Sequence, residues 1–388
     1  MENFIYNLPT RIIFGKQQIE HLSSELTNQN VKRMLLVYGQ QSIKKLGIYD
    51  HIINVAAQLG IEVIEESGVR PNPDITSVHS GRKKAIEHDV DFILAAGGGS
   101  AIDAGKAIAF ARYMDSEAAV WKAFRNEVPL TKALPIGTIL TLAATGTETN
   151  GNTVISNDAL KDKRSVRNPM LMPVFSIIDP EYTKSVPAHH IKAGSIDIMM
   201  HVFEQFFSKT PRTETSDYMS TGLIKSVIEN TRRILGGEDD YAARANISWA
   251  STLALCWVLQ QGKVGDWGSH RLSYPITTDY GITHGLALAI IQPAWMYIAL
   301  RENPEPMRRR LGTMGRELFG IENPEDVIEA FKNLYREFGV AATFSEAGVT
   351  LSEQDVQRMA AVVTELGPIG NTITVDYNLA MDIFNAAK

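Results

Sequence analysis

Cysteine is nearly absent from this chain. Its single representative, Cys256, excludes an intramolecular disulfide and any zinc site built on several thiolates. It sits in the apolar run Leu253-Ala-Leu-Cys-Trp-Val-Leu259 and reads as a small buried hydrophobe. Long hydrophobic runs are missing too. The longest, Gly285 to Leu300, is interrupted by Gln292 and Pro293 and falls short of the ~20 apolar residues that a membrane-spanning helix needs. Nor is there an excess of positive charge. The formal net charge of −6 gives no electrostatic footprint for nucleic acid or an anionic membrane. The opening stretch, MENFIYNLPTRIIFGK, lacks a basic segment leading into an apolar core and lacks a cleavage site. A cytoplasmic, soluble protein with no nucleic-acid or membrane partner is the expectation.

What is present divides into two rhythms. With 388 residues, two cores are expected rather than one. Up to about residue 182, short β-rich runs alternate with helical patterns. Lys32–Tyr38, Gly60–Glu65 and Asp91–Ala96 read as strands, and Ile43–Leu59 and Ile75–His88 as helices. That alternation predicts an α/β N-terminal domain with a parallel sheet, residues 1–182. From 183 to 388 the pattern is helical almost throughout: Ile191–Phe207, Ser216–Leu235, Tyr241–Gln261, Ile282–Leu300, Glu305–Leu318, Pro324–Phe338 and two more, an all-α C-terminal domain.

Three features of the first half could hold a nucleotide. The run Ala96-Gly-Gly-Gly-Ser-Ala-Ile-Asp-Ala-Gly-Lys106 follows a strand and opens a helix, where backbone N–H groups and the helix N-terminus favour a phosphate. It matches neither G-x-G-x-x-G nor the Walker ending, and a Gly-rich turn made only for packing fits equally well. After the first long strand comes Gly39-Gln-Gln-Ser-Ile-Lys-Lys45, with no acid to select a bare ribose hydroxyl; that suits a 2′-phosphate, or simply a solvated helix start. Third, Pro135 to Glu148 repeats threonine around Gly146, enough hydroxyls to line a groove.

The second half poses a different question. In Gly194-Ser-Ile-Asp-Ile-Met-Met-His-Val-Phe-Glu204, Asp197 and His201 are four residues apart, so a helix puts both on one face among apolar neighbours. Buried and unpaired they would be costly. Downstream lie His270 and His284. One carboxylate with three imidazoles would suit Fe²⁺ or Zn²⁺ and leave room for a substrate oxygen. Spacing alone leaves satisfied core groups as an equal reading.

Taken together, Pro9-Thr-Arg-Ile-Ile-Phe-Gly-Lys16, Pro71-Asn-Pro73, GGGSAIDAGK, PIGTILTLAATGTETN, Asp179-Pro180, the G-x-x-D-x-x-x-H-x-x-E helix and the two later histidines span essentially the whole chain. They resemble the iron-containing (group III) alcohol dehydrogenase family, in its NADPH-dependent butanol dehydrogenase/aldehyde reductase branch. The resemblance implies a dinucleotide-binding first domain and a metal-binding second one. It implies a homodimer that passes hydride between NADP(H) and a small primary alcohol or aldehyde, with one divalent metal, Fe²⁺ or Zn²⁺, as Lewis acid. It also implies the site residues. Asp197, His201, His270 and His284 would be the metal ligands, and Gly98, Gly99 and Ser100 would hold the pyrophosphate. Gly39, Gln40, Gln41 and Ser42 would surround the 2′-phosphate, and Asn72, Thr138, Thr141, Lys163 and Tyr182 would line the rest of the cofactor pocket. This chain departs from the pattern twice: Gln40 and Gln41 replace glycines, and Tyr274 stands where most relatives have a histidine near the nicotinamide. Tyr274 is therefore the candidate catalytic residue with an altered role. The competing readings are a dehydroquinate-synthase-like lyase on the same architecture, a metal-dependent hydrolase, and an impaired nucleotide-binding relative.

Overall fold

The computed structural model describes residues 1–238 and 240–388. They form two compact units, Asn7–Ser185 and Val186–Lys388, the second also taking in Met1–Tyr6. Those first residues were expected with the sheet. Instead Glu2 N–H donates to the Gly262 carbonyl at 2.7 Å and the Tyr6 hydroxyl to that of Cys256 at 3.2 Å.

The sheet unit runs β1 (Arg11–Phe14), α1 (Leu22–Asn28), β2 (Arg33–Tyr38), α2 (Ser42–Lys45), α3 (Ile48–Leu59), β3 (Glu62–Glu66), α4 (Ile75–Glu87), β4 (Phe92–Gly97), α5 (Gly99–Ala111), α6 (Glu117–Phe124), β5 (Ile136–Leu140), a hairpin of β6 (Asn152–Asn157) and β7 (Asp162–Arg167), and β8 (Phe175–Ile178). Six strands make one parallel sheet in the order β1-β8-β5-β4-β2-β3. Alternate residues of β2 face opposite cores: Leu35 and Val37 pack into one, Met34, Leu36 and Tyr38 into the other. Both faces are covered, which is why these strands read as continuous apolar runs. The single helix expected over Ile43–Leu59 is two, because Gly47 adopts φ 71 between α2 and α3.

From β2 the chain steps outward to β3; after β4 it steps the other way, to β5. The order therefore reverses between β2 and β4. In open α/β sheets the crevice at the carboxyl ends of such a strand pair is where ligands bind.

The helical unit contains α7 (Ala188–Phe206), α8 (Glu214–Leu235), α9 (Tyr241–Leu255), α10 (Gly268–Tyr280), α11 (His284–Glu302), α12 (Pro304–Phe319), α13 (Pro324–Glu337), α14 (Glu353–Thr364) and α15 (Tyr377–Ala386). Helix α7 is its axis: α8, α9 and α11 pack on it, and Ala193 to Phe206 are buried without interruption. Two expectations need correction. The helix expected to reach Gln261 ends at Leu255, because Trp257 takes a left-handed conformation (φ 70). Helix α10 was not expected at all. Its Pro275, Ser273, Thr277 and Thr278 read as loop, and Pro275 removes one helical hydrogen bond. Among the described residues no helix is long and apolar enough to cross a membrane.

Candidate functional site

Helical spacing aligns three groups of α7: Asp197, His201 and Glu204 occupy i, i+4 and i+7. Helices α10 and α11 bring His270 and His284 to the same place. Asp197 Oδ1 lies 3.9 Å from the Nε2 atoms of His201, His270 and His284 alike. That is beyond hydrogen-bond distance. It is within the span of ~4.2 Å that two ligand atoms can have on one ion with bonds of ~2.1 Å. The ligand atoms of Asp197, His201 and His270 lie within 4.8 Å of one another, so the most widely spaced of them draw in by about 0.6 Å to share one ion with such bonds. His284 meets the distance to Asp197 but stands outside that tight trio. Its side chain is 23% exposed against 6% for Asp197 and 11% for His270, so it forms the open flank.

Two of the imidazoles, those of His270 and His284, are oriented by their other nitrogens. His270 Nδ1 faces Glu204 Oε1 at 2.8 Å; as a carboxylate only accepts, Nδ1 carries the proton and Nε2 presents its lone pair. Ser273 Oγ donates to the His270 carbonyl at 2.7 Å, so its 3.3 Å contact with His284 Nδ1 is made with that nitrogen as donor. His284 Nε2 is thereby also a lone-pair atom facing Asp197. Three imidazole nitrogens and one carboxylate oxygen, with two of the rings held from behind, are a donor set that fits a borderline divalent cation.

Close packing makes this possible. A Cβ on Gly285 would lie 2.0 Å from the Ala193 carbonyl oxygen, so only glycine lets α11 come near enough to α7 for His284 to arrive. Helix α10 begins on buried carboxylates in place of a side-chain cap. Asp266 accepts from Gly268 N–H at 2.9 Å; Glu204 accepts from Trp267 N–H at 2.6 Å and His270 N–H at 2.8 Å. Burial raises both Glu204 and Asp266, and the backbone N–H groups donated to each of them oppose that rise and favour the charged carboxylates.

In the sheet unit, Gly39–Ser42 and Gly98–Ser100 follow the carboxyl ends of β2 and β4, adjacent strands in register at Tyr38 and Ala96, across the point where strand order reverses. Helix α5 starts at Gly99 with no side-chain cap, and as the Ala101 N–H bonds the Gly98 carbonyl at 3.0 Å, the N–H groups of Gly99 and Ser100 are those a phosphate could take. The glycines there also answer to packing: a Cβ on Gly99 would lie 2.6 Å from Thr145 Oγ1. Thr141 follows β5, its N–H bonded to the Gly97 carbonyl at 2.9 Å, and Tyr182 follows β8, its phenol pushed up to about 12 by burial. Lys163 on β7 donates to Asn72 Oδ1 at 3.0 Å, which brings two of the expected pocket residues together. Thr138 is fully buried within β5, and its hydroxyl donates to Ser176 Oγ at 2.7 Å. Tyr274 sits one turn beyond His270, its ring 6.1 Å from that of His284.

Sequence reasoning assigned no role to Glu204, Asp103 or Lys106. Lys106 is wholly buried and donates to Thr147 Oγ1 at 2.8 Å and to the carbonyls of Asn150 and Asn152 at 2.7 and 2.9 Å. Asp103 accepts from Thr147 Oγ1 at 2.6 Å and Val154 N–H at 3.0 Å. Together they lock the loop after β5 onto α5. Burial pushes Lys106 down to about 8 and Asp103 upward. A charged pair inside an otherwise apolar helix was the available signal.

Two family models divide the chain. Residues 9–180 match that of iron-containing alcohol dehydrogenase, and residues 191–387 that of the Fe-containing alcohol dehydrogenase family, C-terminal. The chain is 36% identical over 391 residues to NADH-dependent butanol dehydrogenase A of Clostridium acetobutylicum, covering 99% of each. It is 31% identical over 398 residues to NADPH-dependent aldehyde reductase YqhD of Escherichia coli, covering all of both. The crystal structure of NADH-dependent butanol dehydrogenase A from Thermotoga maritima superposes with a TM-score of 0.94 at 34% identity, over 100% of this chain and 99% of that one. With the fold, the converging histidines and these relatives in agreement, the chain belongs to the iron-containing alcohol dehydrogenase family and is an alcohol dehydrogenase/aldehyde reductase that uses a nicotinamide cofactor and a metal.

Proposed function

We propose that this enzyme is an NADP(H)-dependent reductase of small primary aldehydes, working in the cytoplasm as a homodimer and holding Fe²⁺ or Zn²⁺ on Asp197, His201, His270 and His284. The observation that carries the metal reading is the convergence of three imidazole Nε2 atoms on one carboxylate oxygen at a common 3.9 Å. When bound, the metal supplies Lewis acidity to the substrate oxygen. The chain's own residues do the rest. Asp197 turns one carboxylate oxygen toward the three imidazole nitrogens. Glu204 and Ser273 fix imidazole tautomers. The buried trio excludes water on one side while His284 leaves the other open to substrate.

Support for NADP(H) comes from the carboxyl end of β2. No acid lies between Gly39 and Lys45. The two carboxylates at the carboxyl end of the adjoining strand are already engaged: Glu65 accepts from the hydroxyls of Tyr38 at 2.5 Å and Tyr49 at 2.8 Å, and Glu66 from Ser80 Oγ and Lys84 Nζ, each at 2.8 Å. The relatives named above use NADH or NADPH, so this chain's own residues carry the choice. Tyr274 extends from α10 beside His284 and is assigned as a hydrogen-bond donor at the substrate side, with proton delivery left to water. The family assignment leaves the lyase and hydrolase readings without support.

The test is metal analysis of the purified protein, followed by oxidation of NADPH and of NADH with a series of primary aldehydes. NADPH turnover exceeding that of NADH, lost on chelation and restored by Fe²⁺ or Zn²⁺, is the expected result. Faster turnover with NADH refutes the cofactor assignment, and full activity in metal-free protein refutes the metal assignment.

A further inference from the structure

One carboxylate grips the start of α10 more completely than a structural cap requires. Glu204 Oε2 accepts from Trp267 N–H at 2.6 Å, and Oε1 accepts from both His270 N–H and His270 Nδ1 at 2.8 Å. The Glu204 carbonyl accepts from Asp266 N–H at 2.7 Å as well. This single residue of α7 therefore fixes three features of the neighbouring segment: its backbone path, the helix start at Gly268 and the ring of His270. The path is a costly one. Trp267 is held at φ 66, a left-handed conformation that a bulky residue adopts only where its surroundings impose it. Its indole is tied to Gln260 Oε1 at 3.0 Å and lies 5.6 Å from the His270 ring.

From this we infer that Glu204 is a positioning residue for the metal: it acts through His270, keeping the proton on Nδ1 and aiming the Nε2 lone pair at the point that Asp197 and His201 share. The inference rests on the metal-site reading above. Asp197, His201 and Glu204 share one face of α7, so two of the ligands and the orienter of a third are carried by one rigid element. A rotation of the imidazole about its Cβ–Cγ bond would turn Nε2 away from Asp197. The two-point hold on His270, at the backbone N–H and at Nδ1 by the same oxygen, prevents that rotation. A carboxylate in this place also makes the imidazole a stronger donor to a cation, which a neutral acceptor would do less well.

The test measures Zn²⁺ affinity by competition with a chromophoric chelator in wild type, E204Q, H270A and the double variant, with the unfolding midpoint of each metal-free protein recorded. Partners of this kind typically contribute ~10–100-fold to metal affinity. A loss of that size is expected for E204Q in the wild-type background and little further loss once His270 is gone, because the residue acts through that ring. The Co²⁺-substituted E204Q protein should also show shifted ligand-field absorption bands. Equal losses in both backgrounds would make Glu204 a general staple of the loop and overturn the inference, as would unchanged affinity. If E204Q does not fold, E204D, which keeps the charge but withdraws it by one methylene, is carried through the same cycle with the same criteria. A wild-type protein that binds no Zn²⁺ would overturn the metal-site reading, and this inference with it.

Discussion

Replacing Gly285 with alanine tests whether the metal centre depends on how closely two helices approach. The added Cβ would stand 2.0 Å from the Ala193 carbonyl oxygen, 2.8 Å from its carbon and 3.2 Å from its Cα. All three are backbone atoms of α7, so no side chain can swing aside. Restoring an ordinary contact requires α11 to move by about 1 Å, since carbon and oxygen rest ~3.3 Å apart at their closest. Overpacking of this kind costs about 1–3 kcal/mol, offset by at most ~1 kcal/mol from the better helix propensity of alanine. The net cost of up to ~3 kcal/mol corresponds to a fall of at most about 4 °C in unfolding midpoint for a chain of 388 residues, whose unfolding entropy is ~0.8 kcal/mol/K. The effect on the site is larger. His284 precedes the substituted residue and moves with it, and functional constellations tolerate only about 0.5 Å. Losing one of four ligands should weaken metal binding by ~100-fold or more, the upper end of what a lost orienting partner alone does. Calorimetric unfolding of the metal-free protein and Zn²⁺ titration read the two effects separately. A G285A protein with wild-type midpoint and wild-type affinity would refute the packing argument.

Other substitutions test the remaining parts of the reading. Gly39→Asp places a carboxylate where the 2′-phosphate is assigned, so kcat/KM with NADPH should fall at least about tenfold relative to NADH; an unchanged ratio puts the phosphate elsewhere. Tyr274→Phe should keep most aldehyde reduction at neutral pH, because a phenol with a reference pKa of ~10 relays protons poorly there, and should lose more in alcohol oxidation at alkaline pH. Rate–pH profiles in both directions decide between that and an essential acid, which would be shown by loss of neutral-pH reduction with metal and nucleotide binding intact. Lys106→Met leaves the buried Asp103 without its cation and several carbonyls without a donor; a loss of ~3–5 kcal/mol in urea unfolding is expected, and a loss below ~1 kcal/mol would show that the network is dispensable.

Local pattern made much of this molecule legible. Alternating apolar runs and helical spacing predicted β2, β3, β4, α4 and most helices of the second unit to within a few residues, because burial on one or both faces writes its period directly into the chain. The Gly-rich turn after β4 was legible for the same reason: a strand, a tight turn and a helix start follow one another within a dozen residues. Helix α10 was not. Its proline, serine and threonines favour a loop, and it is helical because Asp266 and Glu204 receive its first N–H groups, a preference supplied from outside the segment.

The same division runs through the metal centre. That Asp197 and His201 face one way follows from the sequence alone, since 3.6 residues per turn leaves a helix no other choice. That His270 and His284 meet them was decided only by tertiary packing: by a glycine that lets α11 touch α7, by a tryptophan forced into a left-handed turn, and by Glu204 reaching across to set a ring. Residues close in sequence are held together by backbone geometry, which spacing reveals. Residues far apart are held together by contacts between surfaces, and no single segment contains the information that fixes them.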